Sequence, residues 1–228
     1  MNRLRKIVFH VGGPSFHPTR DQASKIVPWL GSDYVSEVYE GNAAFDSLDD
    51  CDLLVLMGMF WTGSTAEWAG QTPYVSPSGH HRAEFETYVS SGRPLLVHHG
   101  AVASYDDWPE YGRLLGFRWV WNKSSHSPLG DHLVKVLPTS HPVVSGVGDY
   151  RIHDELYYDI EITPGLEPTV HALAQWEGRS CPMVMTAEGG RIDGAGRVVY
   201  LANGHDLRAL ECEAMRRLWV NAAAWLLG

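Results

Sequence analysis

Apolar residues come in short blocks separated by glycine, proline and polar clusters, and the spacing inside each block predicts its element. Lys6–Val11 reads as a buried strand and runs into Gly12-Gly13-Pro14. Thr19–Leu30 predicts a helix, with Thr19 as its cap and Ile26, Trp29 and Leu30 on one face. Tyr34–Tyr39 is a second strand. Asp52–Met57 is a continuous apolar run, the pattern of a central parallel strand covered on both faces. His80–Ser91 sets Phe85, Tyr88 and Val89 at i, i+3 and i+4, with Gly92 where a left-handed residue ends a helix. Pro94–His98 is another apolar strand, and Tyr105–Leu115 a short helix.

The second half is richer in strands: Arg118–Trp121, His132–Leu137, Thr169–Trp176, Met183–Ala187 and Gly196–Leu201. The clearest helix comes last. Met215, Leu218, Trp219, Ala222, Ala223 and Leu226 fit i, i+3, i+4, i+7, i+8 and i+11. This alternation predicts one α/β domain over residues 1–228, with a mostly parallel open sheet, helices on both faces and an antiparallel extension.

Ligands of open α/β sheets bind at the carboxyl ends of the strands, so the residues after each apolar run matter most. They are Gly12, Gly13 and His17 after the first strand, and Gly58 with a long aromatic loop after Met57. His98, His99 and Gly100 follow Val97, and Asn203, Gly204, His205 and Asp206 follow Leu201. Glycine admits a ligand to the backbone and histidine titrates near neutrality. Each also has a plainer reading. Gly12-Gly13 lacks the third glycine of GxGxxG, and Asp206 suits a helix cap. Adjacent strand residues face opposite ways, so one of His98 and His99 belongs in the core and the other in the crevice. If residues 153–157 are extended, His153, Glu155 and Tyr157 share one face and Asp154 and Leu156 the other. An acid, an imidazole and a phenol together suit proton transfer or hydroxyl recognition, unless this is a polar edge strand facing solvent. Gly58–Gly79 carries Trp61, Trp68 and Tyr74, whose flat faces suit the C–H faces of a sugar and predict a lid. The plainer readings of this segment are a hydrophobic plug or a subunit contact.

Composition narrows the partners. The chain has 228 residues and a formal charge of −9, with no basic cluster beyond Arg3, Arg5 and Lys6, which argues against nucleic acid or an anionic membrane. No window approaches 18 apolar residues, so no membrane span is expected. Cys51, Cys181 and Cys212 form no CxxC pattern and read as reduced thiols. With no signal-peptide pattern, the expected address is the cytoplasm. There is no Walker A, HExxH or GxSxG motif. A divalent metal remains open: His17, His99, Glu155 and His205 are its candidate ligands.

The ordered motifs resemble those of the ThuA-like family, named for trehalose utilisation. Phe16-His17-Pro18 after the glycine-rich start is similar to its opening, and Leu95-Leu96-Val97-His98-His99-Gly100 to its strand ending in a histidine turn. His141-Pro142-Val143-Val144-Ser145-Gly146-Val147, Asp154-Glu155-Leu156-Tyr157 and the Gly196–Tyr200 segment with Gly204-His205-Asp206 follow in the same order. The resemblance implies the flavodoxin-like, class I glutamine amidotransferase-like sandwich. In amidotransferases the equivalent turn carries a nucleophilic cysteine; here His99 takes that place, which disfavours that activity. The resemblance also implies sugar catabolism around 3-keto-glycosides made by a partner dehydrogenase. The chain departs from the family pattern in a larger Trp61–Ser78 loop and in His98 before His99.

Two functions follow. One is an enzyme that moves protons on a sugar or keto-sugar, by isomerisation, elimination or hydrolysis. His99 or Glu155 is its base and His205 its acid, with His17, Trp61, His153, Tyr157, Gly204 and Asp206 holding substrate. The other is a non-catalytic carbohydrate-binding or interaction protein on a fold that has lost its nucleophile. A homo-oligomer is compatible with either.

Overall fold

A computed structural model describes residues 3–63 and 74–228. The first half alternates strand and helix: β1 Arg5–Val11, α1 Thr19–Leu30, β2 Tyr34–Glu40, β3 Leu53–Leu56, α2 Gly79–Ser90, β4 Leu95–His98 and α3 Pro109–Leu115. Strands then dominate: β5 Phe117–Arg118, β6 Ser125–His126, β7 Gly130–Val136, β8 Tyr150–Asp154, β9 Tyr157–Tyr158, β10 Glu161–Ile162, β11 Thr169–Trp176, β12 Arg179–Glu188 and β13 Arg197–Leu201. Helix α4, Glu213–Leu227, closes the chain.

Nine strands form one sheet in the order β2-β1-β3-β4-β13-β12-β11-β7-β8. The pairs from β2 through β13 are parallel. Those from β13 through β8 are antiparallel. The expected mostly parallel α/β sheet with an antiparallel extension is therefore the architecture observed. Because β1 lies between β2 and β3, the chain winds first one way and then the other, and a crevice opens beyond the carboxyl ends of β1 and β3.

The register separates the two faces. His10 pairs with Leu56 and Leu56 with Val97, so these three share a face and His98 takes the opposite one. On the His10 side, Phe45 stacks on the imidazole and meets Phe85 of α2, which in turn meets Trp108 and Tyr111 beside α3. On the other side Trp219 of α4 packs against His98, with ring centroids 5.1 Å apart. Strands β3 and β4 are buried at every position, as their unbroken apolar runs require. In α4 the buried stripe contains Met215, Leu218, Trp219, Ala222, Ala223 and Leu226, the set given by the 3.6-residue period.

Several local expectations change. Thr19 does not cap α1. Its hydroxyl instead accepts the Gly12 N–H at 2.7 Å, tying the glycine loop to the helix start. The expected helix over Tyr105–Leu115 begins only at Pro109, whose ring suits a first helical turn. The strand expected over Arg118–Trp121 is reduced to Phe117–Arg118, leaving Trp119 and Trp121 outside regular structure.

Candidate active site

Four segments far apart in sequence converge at the carboxyl edge of the parallel strands. His17 comes from the loop between β1 and α1, held by its N–H to the Pro14 carbonyl at 3.0 Å. That loop presses on the residues after β3: a side chain at Gly13 would meet the Met59 carbonyl oxygen at 2.2 Å. His99 follows β4 at φ +42°, a left-handed turn that swings it out of line with the strand. Glu155 lies in the break between β8 and β9, and His205 follows β13.

Their side chains meet. His17 Nε2 lies 2.9 Å from His205 Nδ1, and His205 Nδ1 lies 3.2 Å from Glu155 Oε2. His99 Nε2 approaches the same Glu155 oxygen at 3.9 Å. His99 Nδ1 donates to the Ala202 carbonyl at 2.6 Å. A carbonyl only accepts, so Nδ1 carries the proton and Nε2 presents its lone pair to the cluster. The second oxygen of Glu155 lies 3.2 Å from His126 Nδ1. Such a group of imidazoles and one carboxylate could hold a metal ion.

The cluster floors a cavity of about 360 Å³, walled by Phe16, Met59, Trp61, Trp119, Trp121, His126 and Tyr157, with His17, Glu155 and His205 on its surface. Trp61 and Trp121 stack with centroids 5.7 Å apart.

A family model, ThuA: trehalose utilisation, matches residues 17–226. The chain belongs to the ThuA family. Membership places it in carbohydrate metabolism. The structure is similar to that of a ThuA-like protein from Parabacteroides merdae ATCC 43184, at TM-score 0.75 and 16% identity, covering 99% of this chain and 90% of that one. A second ThuA-like protein, from Bacteroides uniformis ATCC 8492, aligns at TM-score 0.70 and 17% identity over 98% of this chain and 91% of its own. A cytoplasmic protein from Salmonella typhimurium gives TM-score 0.61 and 11% identity, with 97% and 98% covered. At these identities the likeness shows the fold. No curated protein matches the chain. Among the described residues no helix is long and apolar enough to cross a membrane.

In this ThuA chain the adjacent histidines divide their roles. His98 is the core residue, its pKa pushed down to about 3 by burial and then by the neighbouring His99. Gly204 makes room for it: a side chain there would come within 1.9 Å of His98 Nε2, at φ +137°. His99 joins the cluster, yet it is only 2% exposed and does not line the cavity, so it is not the exposed crevice histidine expected. Its ring packs 4.3 Å from that of Tyr157. Burial, followed by the neighbouring histidines, holds His17 well below the ordinary imidazole range. Burial also lowers His99, against the pull of Asp154 and Glu155. Burial opposes charge on His205 and Glu155 too, but their mutual hydrogen bond and attraction outweigh it. His205 is raised and Glu155 lowered. Glu155 and His205 thus favour charge on each other, beside two imidazoles that burial holds toward the neutral form.

Not every expected residue arrives. The strand stops at Asp154, so the alternation linking His153 to Glu155 and Tyr157 is broken. Glu155 and Tyr157 reach the cavity, while His153 pairs with Asp131 at 2.8 Å on the outer strands of the sheet. Asp206 holds the backbone and guanidinium of Arg208 in a local turn rather than lining the cavity. Gly204 contributes backbone only, its carbonyl accepting from Gln22 Nε2 at 2.7 Å. Trp61 is a cavity wall, and Trp68 lies outside the described residues. Among the described residues no cysteine lines the cavity.

The residue that sequence reasoning missed is Asp154. It is fully buried and accepts four N–H groups: Gly204 N at 2.7 Å, His205 N and Glu155 N at 2.9 Å, and Asn203 Nδ2 at 3.0 Å. It fastens the β13 turn carrying His205 to the segment carrying Glu155. Its signal in the sequence was its place at the head of the Asp154-Glu155-Leu156-Tyr157 motif, which strand alternation assigned to the face away from Glu155. His126, Trp119 and Trp121 were also missed: His126 sits on the two-residue strand β6, too short to show a period, and Trp119 and Trp121 lie beyond the end of β5.

Proposed function

We propose that this chain is a carbohydrate-processing enzyme that moves protons on a keto-sugar, with Glu155 as base and His205 as acid. The observation that carries the reading is the Glu155–His205 pair. The Glu155 carboxyl and the His205 imidazole, each favouring charge on the other, lie 3.2 Å apart and line one cavity, so both reach a single substrate position. The aromatic wall suits the apolar faces of a sugar ring, and the family supplies the carbohydrate context.

A carbonyl at C3 of a sugar acidifies the hydrogen at C2. Glu155 takes that proton, and the C2–H electrons form the enolate with the C3 oxygen. The enolate collapses to a C1–C2 double bond as the C1 oxygen leaves with a proton from the His205 imidazolium. Returning the proton to the other face of C2 instead gives the C2 epimer, and placing it on C3 while the C2 hydroxyl loses its proton gives the 2-keto isomer. Each positioned acid or base contributes roughly 10²–10⁴-fold. His99, behind Glu155 with its lone pair forward, serves as the second acceptor through which that carboxylate passes its proton on. A divalent metal held by His17, His99, one oxygen of Glu155 and His205 Nδ1 would, when bound, replace the Nδ1 proton, leave the second Glu155 oxygen and the His205 Nε2–H for proton transfer, and stabilise the enolate oxygen. A partner dehydrogenase that oxidises the C3 hydroxyl would supply the substrate.

The test is turnover of a 3-keto-glycoside by the purified protein. Release of the C1 group or isomerised product supports the reading. Saturable sugar binding with no product supports instead a carbohydrate-binding module that uses the same aromatic wall.

A further inference from the structure

We propose that His17, His99, Glu155 and His205 bind one divalent transition-metal ion, of the zinc, manganese, iron(II), cobalt or nickel class. Three observations carry this, and it deepens the proposed site without depending on turnover.

The first is spacing. One ligand atom from each residue lies within 4.8 Å of the other three. Bonds of about 2.1 Å to a metal set neighbouring ligand atoms about 3.0–3.4 Å apart, for octahedral and tetrahedral geometry respectively. The contacts in the cluster are 2.9, 3.2 and 3.9 Å. Of the six spacings among four ligand atoms, two already stand near a coordination edge, a third needs to shorten by about half an ångström, and the rest lie within 4.8 Å, so small side-chain shifts close the shell.

The second is the lone pairs. His99 Nε2 is buried without a hydrogen-bond partner, and the Ala202 carbonyl fixes its tautomer so that this atom is an acceptor. A carbonyl on the far nitrogen is the usual support of a metal-bound imidazole. His205 Nδ1 serves both the His17 and the Glu155 contact, and one proton there cannot satisfy both fully. A cation among the four atoms satisfies all of them.

The third is the donor set. Three imidazoles and one carboxylate, with no thiolate, suit the borderline metals. Magnesium and calcium favour all-oxygen shells, and copper(I) favours sulfur.

The experiment uses the full chain, treated with chelator, dialysed, and titrated with zinc or manganese chloride. Binding is read by elemental analysis and thermal melting. The expected result is one ion per chain and a melting temperature that rises with metal, because the ligands join four separate segments. Magnesium at the same concentration leaves the melting temperature unchanged. Glu155→Gln and His99→Gln each weaken binding at least about 10-fold, the loss already seen when only a supporting partner is removed. His153→Gln, on the outer strands, binds as wild type does. If His99→Gln fails to fold, Glu155→Gln on the cavity wall carries the test. A folded wild-type chain that takes up neither zinc nor manganese overturns the inference, as does unchanged affinity in Glu155→Gln. A chain that binds no metal yet turns over the keto-sugar refutes this inference and leaves the proposed function standing. One that binds the ion and turns over nothing does the reverse.

Discussion

Replacing Asp154 with Asn keeps the size of the side chain but removes its ability to accept on both sides. Oδ1 accepts from Glu155 N and His205 N, while Oδ2 accepts from Asn203 Nδ2 and Gly204 N. Whichever way the new amide turns, its NH₂ faces two N–H donors in a fully buried place. Two hydrogen bonds to a charged acceptor are lost, at about 1.5–3 kcal/mol each, so the cost is about 3–6 kcal/mol. A domain of this size shifts by about 2–4 °C per kcal/mol, so the melting temperature should fall by about 6–24 °C. Thermal unfolding followed by circular dichroism measures it. The surviving fold should also lose activity, because the turn bearing His205 is no longer fastened beside Glu155. A melting temperature within about 2 °C of wild type would refute the claim that this carboxylate organises the site.

Other substitutions probe separate parts of the account. Gly204→Ala drives a methyl into His98 at a left-handed φ and should cost more than about 3 kcal/mol, read from denaturant unfolding. Trp121→Ala, at a residue 39% exposed, should raise KM for the sugar about 3–10-fold while leaving the melting temperature nearly unchanged. The pH dependence of the metal-free protein has a definite sign. Glu155 is lowered from 4.5, so its contribution is present above that value and fades as pH falls through the folded-state pKa. His205 is raised from 6.5, so its contribution is complete below that value and fades as pH rises through the folded-state pKa. The stability gap between wild type and Glu155→Gln should therefore be widest between pH 4.5 and 6.5, and urea unfolding across that range checks it.

What was legible in the sequence was whatever repeated with a period or ended an apolar run. The α4 stripe was complete because a helix covering a sheet must keep one face apolar. His17, His99 and His205 were found because strand ends of a parallel sheet share an edge. Glu155 and Tyr157 were placed together on a continuous strand, and they do meet the site. They do so because the strand breaks at Asp154, which also sends His153 elsewhere. Asp154 itself was assigned to the far face, since alternation says nothing of a residue that leaves the strand to collect backbone N–H groups. The choice between His98 and His99 depended on register, and the deciding contacts, with Trp219 and Ala202, come from over 100 residues away. Trp119 and Trp121 were lost to a strand that stops after Arg118.

Proton exchange at the carbon beside the keto group tests the central claim most directly. A 3-keto-glucoside incubated with the protein in deuterated water should lose its C2–H signal by NMR. Glu155→Gln should slow that exchange by roughly 10²-fold or more. Exchange no faster with folded wild-type protein than without it, or equal rates in wild type and Glu155→Gln, would contradict the assignment of Glu155 as the base.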